Sequence, residues 1–207
     1  MTRMSHQELR YLWSADLYRY TGSRATPTMI VRQLLMEPGF KYTFLMRLCA
    51  YLELARPRLL ARPAYMLVRI VLGHYQHKFG IYIPHRTVIG PGLFIGHPGC
   101  IHVNVRSVIG INCNLSQGVT LGEANRGKHK GFPTIGNNVY IGPGAKIVGA
   151  VHVSDEVAIG ANCVVTNDVP PQAVVVGVPG RVISYDGVAG YINNADYGPA
   201  GSGDTRL

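Results

Sequence analysis

From residue 83 onward apolar residues recur every six positions, and that period leaves few folds open to the chain. Ile83, Ile89, Ile95 and Ile101 make a first run. After a slip of two residues, Val103, Ile109, Leu115 and Leu121 make a second. A third run, Ile135, Ile141, Ile147, Val153, Ile159 and Val165, follows the segment GEANRGKHKGFPT. Four residues behind each lead of the third run stands another apolar or small residue: Val139, Ala145, Val151, Val157, Cys163 and Val169. An α-helix turns every 3.6 residues and has no such period. A hexapeptide repeat held this long is the mark of a parallel β-helix, in which three segments close a triangular coil of about eighteen residues and about five coils fit here. The leads point inward and stack on those of the next coil, and no coil can bury its stack alone. Glycine often follows a lead, as at Gly90, Gly110, Gly136, Gly142 and Gly160, and is expected at tight corners for its backbone freedom.

The four cysteines, Cys49, Cys100, Cys113 and Cys163, show no CxxC spacing. That argues against a zinc site or a disulfide framework and for a reducing, cytoplasmic setting, with no metal expected. Cys113 and Cys163 fall on the second apolar position and read as core filler. No N-terminal stretch has the order of a secretory signal. The longest apolar stretch, residues 64–73, contains Arg69 and is too short to span a bilayer.

Charge is unevenly placed. Residues 1–80 carry twelve Lys/Arg against four Asp/Glu, and residues 81–207 carry eight against seven. The basic part reads as helical. Ser5 and Glu8 form a capping-box pattern, and Leu9, Leu12, Trp13, Leu17 and Tyr20 follow at helical spacing. Further helices are expected around 28–36, 40–54 and 62–78, punctuated by Pro27, Pro38, Pro57 and Pro63. The basic apolar stretch from Arg56 to Lys78 has two readings: a helical cap with solvated charges, or peripheral contact with an anionic membrane face. No motif or aromatic platform supports nucleic acid binding.

Chemistry is expected where the repeat breaks, because ejected loops commonly carry function. The break between Leu121 and Ile135 is basic and glycine-rich, with Arg126, Lys128, His129 and Lys130 as candidate substrate contacts. Upstream, His97 stands two residues past a lead, at an outward corner. An imidazole, with an ordinary pKa of about 6.5, suits the removal of a hydroxyl proton near neutral pH.

From about residue 80 to 183 the chain resembles the serine acetyltransferase branch of the hexapeptide acyltransferases. The stretches that carry the resemblance are IGPGLFIGHPG, VIGINCNLSQGVTLG, PTIGNNVYIGPGAKIVG, AIGANCVV and VPPQAVVVGVPGRVI. It implies a left-handed parallel β-helix over 81–183 behind an α-helical segment, 1–80, with a tail, 184–207, whose polar, glycine-rich end is expected to be disordered beyond Tyr197. It also implies an acetyl-CoA-dependent O-acetyltransferase, with His97 on the catalytic histidine and acetyl-CoA in the groove between β-helices of a homotrimer, or of a hexamer made of two trimers. CoA contacts carry over onto Gly142, Ala145, Gly160, Ala161 and Arg181, although coil corners favour small residues in any case.

The acceptor side departs from the family. Gly96 stands where the family has an aspartate before the histidine, and Gly131 and Phe132 stand where it has an Arg-His pair before the proline. A carboxylate clamp would then have to come from Arg126, Lys128 or Lys130. The loop NRGKHKGFPTIG and the tail GYINNADYG resemble a sub-branch found in polysaccharide loci, akin to colanic acid and capsule acetyltransferases. The leading expectation is therefore acetyl transfer to a sugar hydroxyl of an exopolysaccharide precursor. The alternatives are serine O-acetylation for cysteine synthesis and a non-catalytic β-helix scaffold.

Overall fold

The computed structural model describes residues 4–198, and it places the leads inside. From Ile83 to Val165 every lead is buried except Ile89, which is half-buried, and Val139, Ala145, Val151, Val157, Cys163 and Val169 are buried with them. The chain winds through three parallel sheets in turn. The first holds Ile81–Tyr82, Ile101–Val103, Thr120–Gly122, Lys146–Val148 and Val164–Val165. The second holds Val88–Ile89, Val108–Ile109, Thr134–Ile135 and His152–Val153. The third runs from Phe94–Ile95 through Asn114–Leu115, Tyr140–Ile141 and Ala158–Ile159 to Val174–Val176, and Arg181–Ser184 returns antiparallel to its last strand. Register stacks lead on lead, Leu115 on Ile141 and Ile141 on Ile159. This is a parallel β-helix.

The glycines after the leads have a different cause from the one expected. None of Gly90, Gly110, Gly136, Gly142 or Gly160 has a positive φ. Successive coils approach so closely there that a Cβ on Gly110 would fall 2.4 Å from the Gly136 carbonyl oxygen, and one on Gly142 would fall 2.8 Å from that of Ile159. Positive φ belongs instead to Asn112, Asn138 and Asn162, three residues past a lead. Asparagine tolerates that region better than most side chains.

Two corners lengthen the coil, and a third, between Val165 and Val169, shortens the last coil to sixteen residues, since Val153 meets Val169 and Ile159 meets Val175. Ile83 stacks beneath Val103 in the frame set by Ile81 on Ile101, so the first coil takes two more residues than the eighteen between Val103 and Leu121. The extra pair lies in the corner between Ile95 and Val103. The second break is the loop 123–133, after which Ile109 meets Ile135 and the leads stack again.

Helices α1 (His6–Thr21), α2 (Pro27–Met36), α3 (Pro38–Leu54) and α4 (Arg58–Phe79) precede the coils. The capping box forms at both bonds, Glu8 N to Ser5 Oγ at 3.0 Å and Ser5 N to Glu8 Oε2 at 3.2 Å. The last helix starts four residues earlier than expected. Pro63 lies inside it, in the second turn, where it removes the backbone bond to Leu59 O. Helices α1 and α3 pack on Phe94–Ile95 of the third sheet. Between them Arg47 donates to both oxygens of Asp16, at 2.6 and 2.9 Å, and Asp16 accepts from the N–H groups of Gly92 and Leu93. Both side chains are buried.

The tail is ordered as far as it is described. After Ser184 it crosses the outer face of the third sheet. Tyr191 stacks on Tyr140 at 4.5 Å between ring centres, and its carbonyl accepts from Asn114. Tyr197 sits edge-on to Tyr11 and Tyr18 of α1. The GYINNADYG stretch therefore acts as a strap binding α1 to the coils. The disorder expected beyond Tyr197 concerns residues 199–207, which lie outside the described residues.

Candidate active site

The coil has three edges, and the candidate residues fall on two of them. His97 is exposed on the edge between the third and first sheets, in the corner lengthened by two residues. Gly99 and Cys100 take φ of 122° and 51° there, which turns the longer corner back into the first sheet. Later corners stack in line beneath it: Gly118 N donates to Gly99 O, Gly144 N to Gln117 O and Asn162 N to Pro143 O, at 2.7 to 2.8 Å. Gly142, Gly160 and Ala161 occupy corners of this same edge. With coils about 4.8 Å apart, three steps carry the edge about 14 Å from His97 to Ala161. The closing turn ends on it too, since Gly180 N bonds Val164 O at 2.8 Å, and exposed Arg181 follows.

The five expected CoA contacts are not equivalent. Ala161 and Arg181 are exposed and Gly160 is half-buried. Ala145 is fully buried in the core, so its side chain offers a ligand no surface. Gly142 is buried as well, and the next coil fills the place of its missing Cβ.

The basic loop leaves from the edge between the first and second sheets. Ala124 and Gly131 exchange both backbone bonds at 3.0 Å, and His129 O accepts from Ala150 N at 2.8 Å, so the loop is pinned at its base. Arg126, Lys128 and Lys130 are exposed and His129 is half-buried. Within one chain the fold does not bring these residues to the edge that carries His97.

Gly96, the residue before His97, borders a cavity of about 360 Å³ that is also lined by Arg19, Glu37, Phe94, Asn114 and the strap residue Asn193, among others, but not by His97 itself. Helix α1 supplies Arg19, and the junction of α2 and α3 supplies Glu37. The Arg19 guanidinium is buried and donates to three neutral acceptors: Gly92 O at 2.8 Å, Asn114 Oδ1 at 2.7 Å and Asn193 O at 2.9 Å. Burial lowers its pKa from the ordinary value, but an arginine stays protonated. Gly96 has only the Phe94 ring near the place of a Cβ, so the cavity floor there is open. Sequence reasoning missed Arg19, Glu37, Asp16 and Arg47. One signal was present: Asp16 and Arg19 continue the spacing of Leu9 and Leu12, which places two charges on the buried face of α1.

Comparison with known proteins agrees with this frame. Residues 132–167 match the family model described as bacterial transferase hexapeptide (six repeats). The serine acetyltransferase of Synechococcus elongatus is 36% identical over 159 residues, 75% of this chain and 61% of that protein, so the chain spans about three fifths of that relative's length. The serine acetyltransferase of Helicobacter pylori strain J99 is 37% identical over 153 residues, 74% of this chain and 85% of that protein. Among solved structures, the serine acetyltransferase of Brucella abortus strain S19 in complex with coenzyme A superposes with a TM-score of 0.69 at 27% identity, covering 86% of this chain and 69% of that one.

These relatives overturn the sugar acceptor expected from Gly96, Gly131, Phe132 and the tail, since they are serine acetyltransferases. The expectation failed for a physical reason. It judged the acceptor's charges from two short motifs, whereas a guanidinium and a carboxylate reach the cavity beside Gly96 from the helices. The tail motif, likewise, is accounted for by its packing on α1. The chain belongs to the serine acetyltransferase family.

Proposed function

We propose that the chain transfers the acetyl group of acetyl-CoA to the hydroxyl of serine, with His97 as general base. The observation that carries this reading is the single edge that holds His97 at one end and Ala161 and Arg181 at the other. An extended pantetheine arm suits such an edge, with its thioester beside His97 and its phosphates toward the Arg181 guanidinium. The His97 imidazole takes the hydroxyl proton as the oxygen attacks the thioester carbonyl. The new C–O bond forms, backbone N–H groups hold the oxyanion, and the C–S bond breaks as the proton passes to the departing thiolate.

The acceptor lies in the cavity that opens at Gly96. Serine is a zwitterion, and this cavity offers Glu37 for the ammonium and the field of Arg19 for the carboxylate. A trimer completes the site. Because the basic loop leaves from a different edge, a threefold arrangement lets Arg126, Lys128 and Lys130 of one copy close over His97 of the next. The test is thiol release from acetyl-CoA with L-serine. Wild type should turn over, and His97→Ala should lose about 10²–10⁴-fold in kcat while still binding CoA. Full activity in the variant would remove His97 from the mechanism, and no turnover of serine by wild type would remove the acceptor.

A further inference from the structure

Helix α4 has two unlike faces. Tyr65, Val68 and Leu72 turn inward to the core. On the outside Leu59, Met66, Leu67 and Ile70 follow helical spacing and are 86, 57, 64 and 70% exposed, with Leu60 beside them at 74%. Single exposed leucines are ordinary, but a continuous stripe marks an interaction surface. Arg58, Arg62 and Arg69 are exposed along one flank of that stripe. The helix contains no Asp or Glu, and the nearest acid before it, Glu53, is engaged by His85 and Arg86.

We propose that this face of α4 lies on an anionic lipid surface, with Leu59, Met66, Leu67 and Ile70 among the acyl chain ends and the three arginines at the headgroup phosphates. The charge pattern selects the partner. A second copy presenting the same face would bring more cations and no carboxylate, whereas a phosphate layer supplies the missing charge. Arginine stems can lie along the apolar stripe while their heads reach phosphate. Among the described residues no helix is long and apolar enough to cross a membrane, so α4 lies along the surface in the manner of an amphipathic interfacial helix.

Flotation of the full chain with vesicles tests this, using phosphatidylcholine alone and phosphatidylcholine with about one third phosphatidylglycerol. Light scattering after size exclusion is run in parallel. Two double variants, Leu67→Ser/Ile70→Ser and Arg62→Gln/Arg69→Gln, change only exposed side chains, and their melting temperatures should match wild type. Wild type should float with the anionic vesicles alone and less so as salt is raised, and each variant should bind about tenfold more weakly or worse. Equal flotation of the variants, or none by wild type, would overturn the proposal. So would a smaller assembly for Leu67→Ser/Ile70→Ser, which would make this face a contact between copies.

Discussion

The interior of the coils and the outer face of the third sheet are held by opposite means. Inside, Ile, Val and Leu stack on one another at a fixed spacing, and each layer repeats the one before. Outside, α1, α3 and the strap are joined by individual polar bonds between residues far apart in the chain. Arg47 and Asp16 are 31 positions apart, and Asn194 Nδ2 reaches Arg19 O across 175. The interior is written many times over, so the loss of one side chain is a local loss. The outer face is written once, and the candidate acceptor cavity is built on it.

The sharpest way to break that contrast is to set one polar partner against one apolar lead. Asp16→Ala leaves the Arg47 guanidinium buried without its carboxylate and should cost about 3–5 kcal/mol in denaturant unfolding. Ile141→Ala, a fully buried lead, should cost about 2–5 kcal/mol. A much smaller effect of Asp16→Ala would mean the outer face is held by its apolar contacts after all. The next test separates ligand from scaffold. Glu37→Gln should raise KM for L-serine about tenfold or more, the worth of a charged hydrogen bond, and leave KM for acetyl-CoA unchanged. If both KM values stay at wild type while serine is still turned over, Glu37 has no part in the acceptor site.

The smallest expected effect concerns the junction of α3 with the first coil. Glu53 Oε2 lies 3.2 Å from His85 Nε2, and Glu53 also receives the guanidinium of Arg86. Burial holds His85 below its ordinary pKa, and the hydrogen bonds from Arg86 hold Glu53 below its own. In both cases the unfolded chain takes up the proton at a higher pH than the folded one. Stability is therefore lost as pH falls, first below about 6.5 for His85 and then through the ordinary carboxylate range for Glu53. The melting temperature should drop by about 2–4 °C between pH 7 and pH 4 from this pair, and Glu53→Gln should remove the lower part of the slope.

The period revealed the coil interior because each lead answers to the same geometric demand, and its breaks at Ile101–Val103 and after Leu121 marked the two lengthened corners. It could not show that those corners leave from different edges, because that depends on which of three sheets each strand joins. The glycines were legible as a pattern but not in their cause, which is the approach of the next coil's carbonyl. Arg19 and Arg47 read as part of a basic segment, since nothing local distinguishes a buried guanidinium from a solvated one. Their partners are carbonyls and a carboxylate supplied by other elements. Gly96 looked like a missing charge, and only the packing of α1 and the start of α3 around it shows Arg19 and Glu37 as neighbours.

The lengthened corner at His97 leaves the stacking that follows untouched. Val103 pairs with Leu121 as though no residues had been added, and the leads resume in the same way after the loop 123–133. A corner therefore works as a spacer outside the counting frame of the repeat. Residues can be inserted, removed or recoded there without moving a single interior layer. In such a chain the outline at one edge can change independently of the rod that displays it.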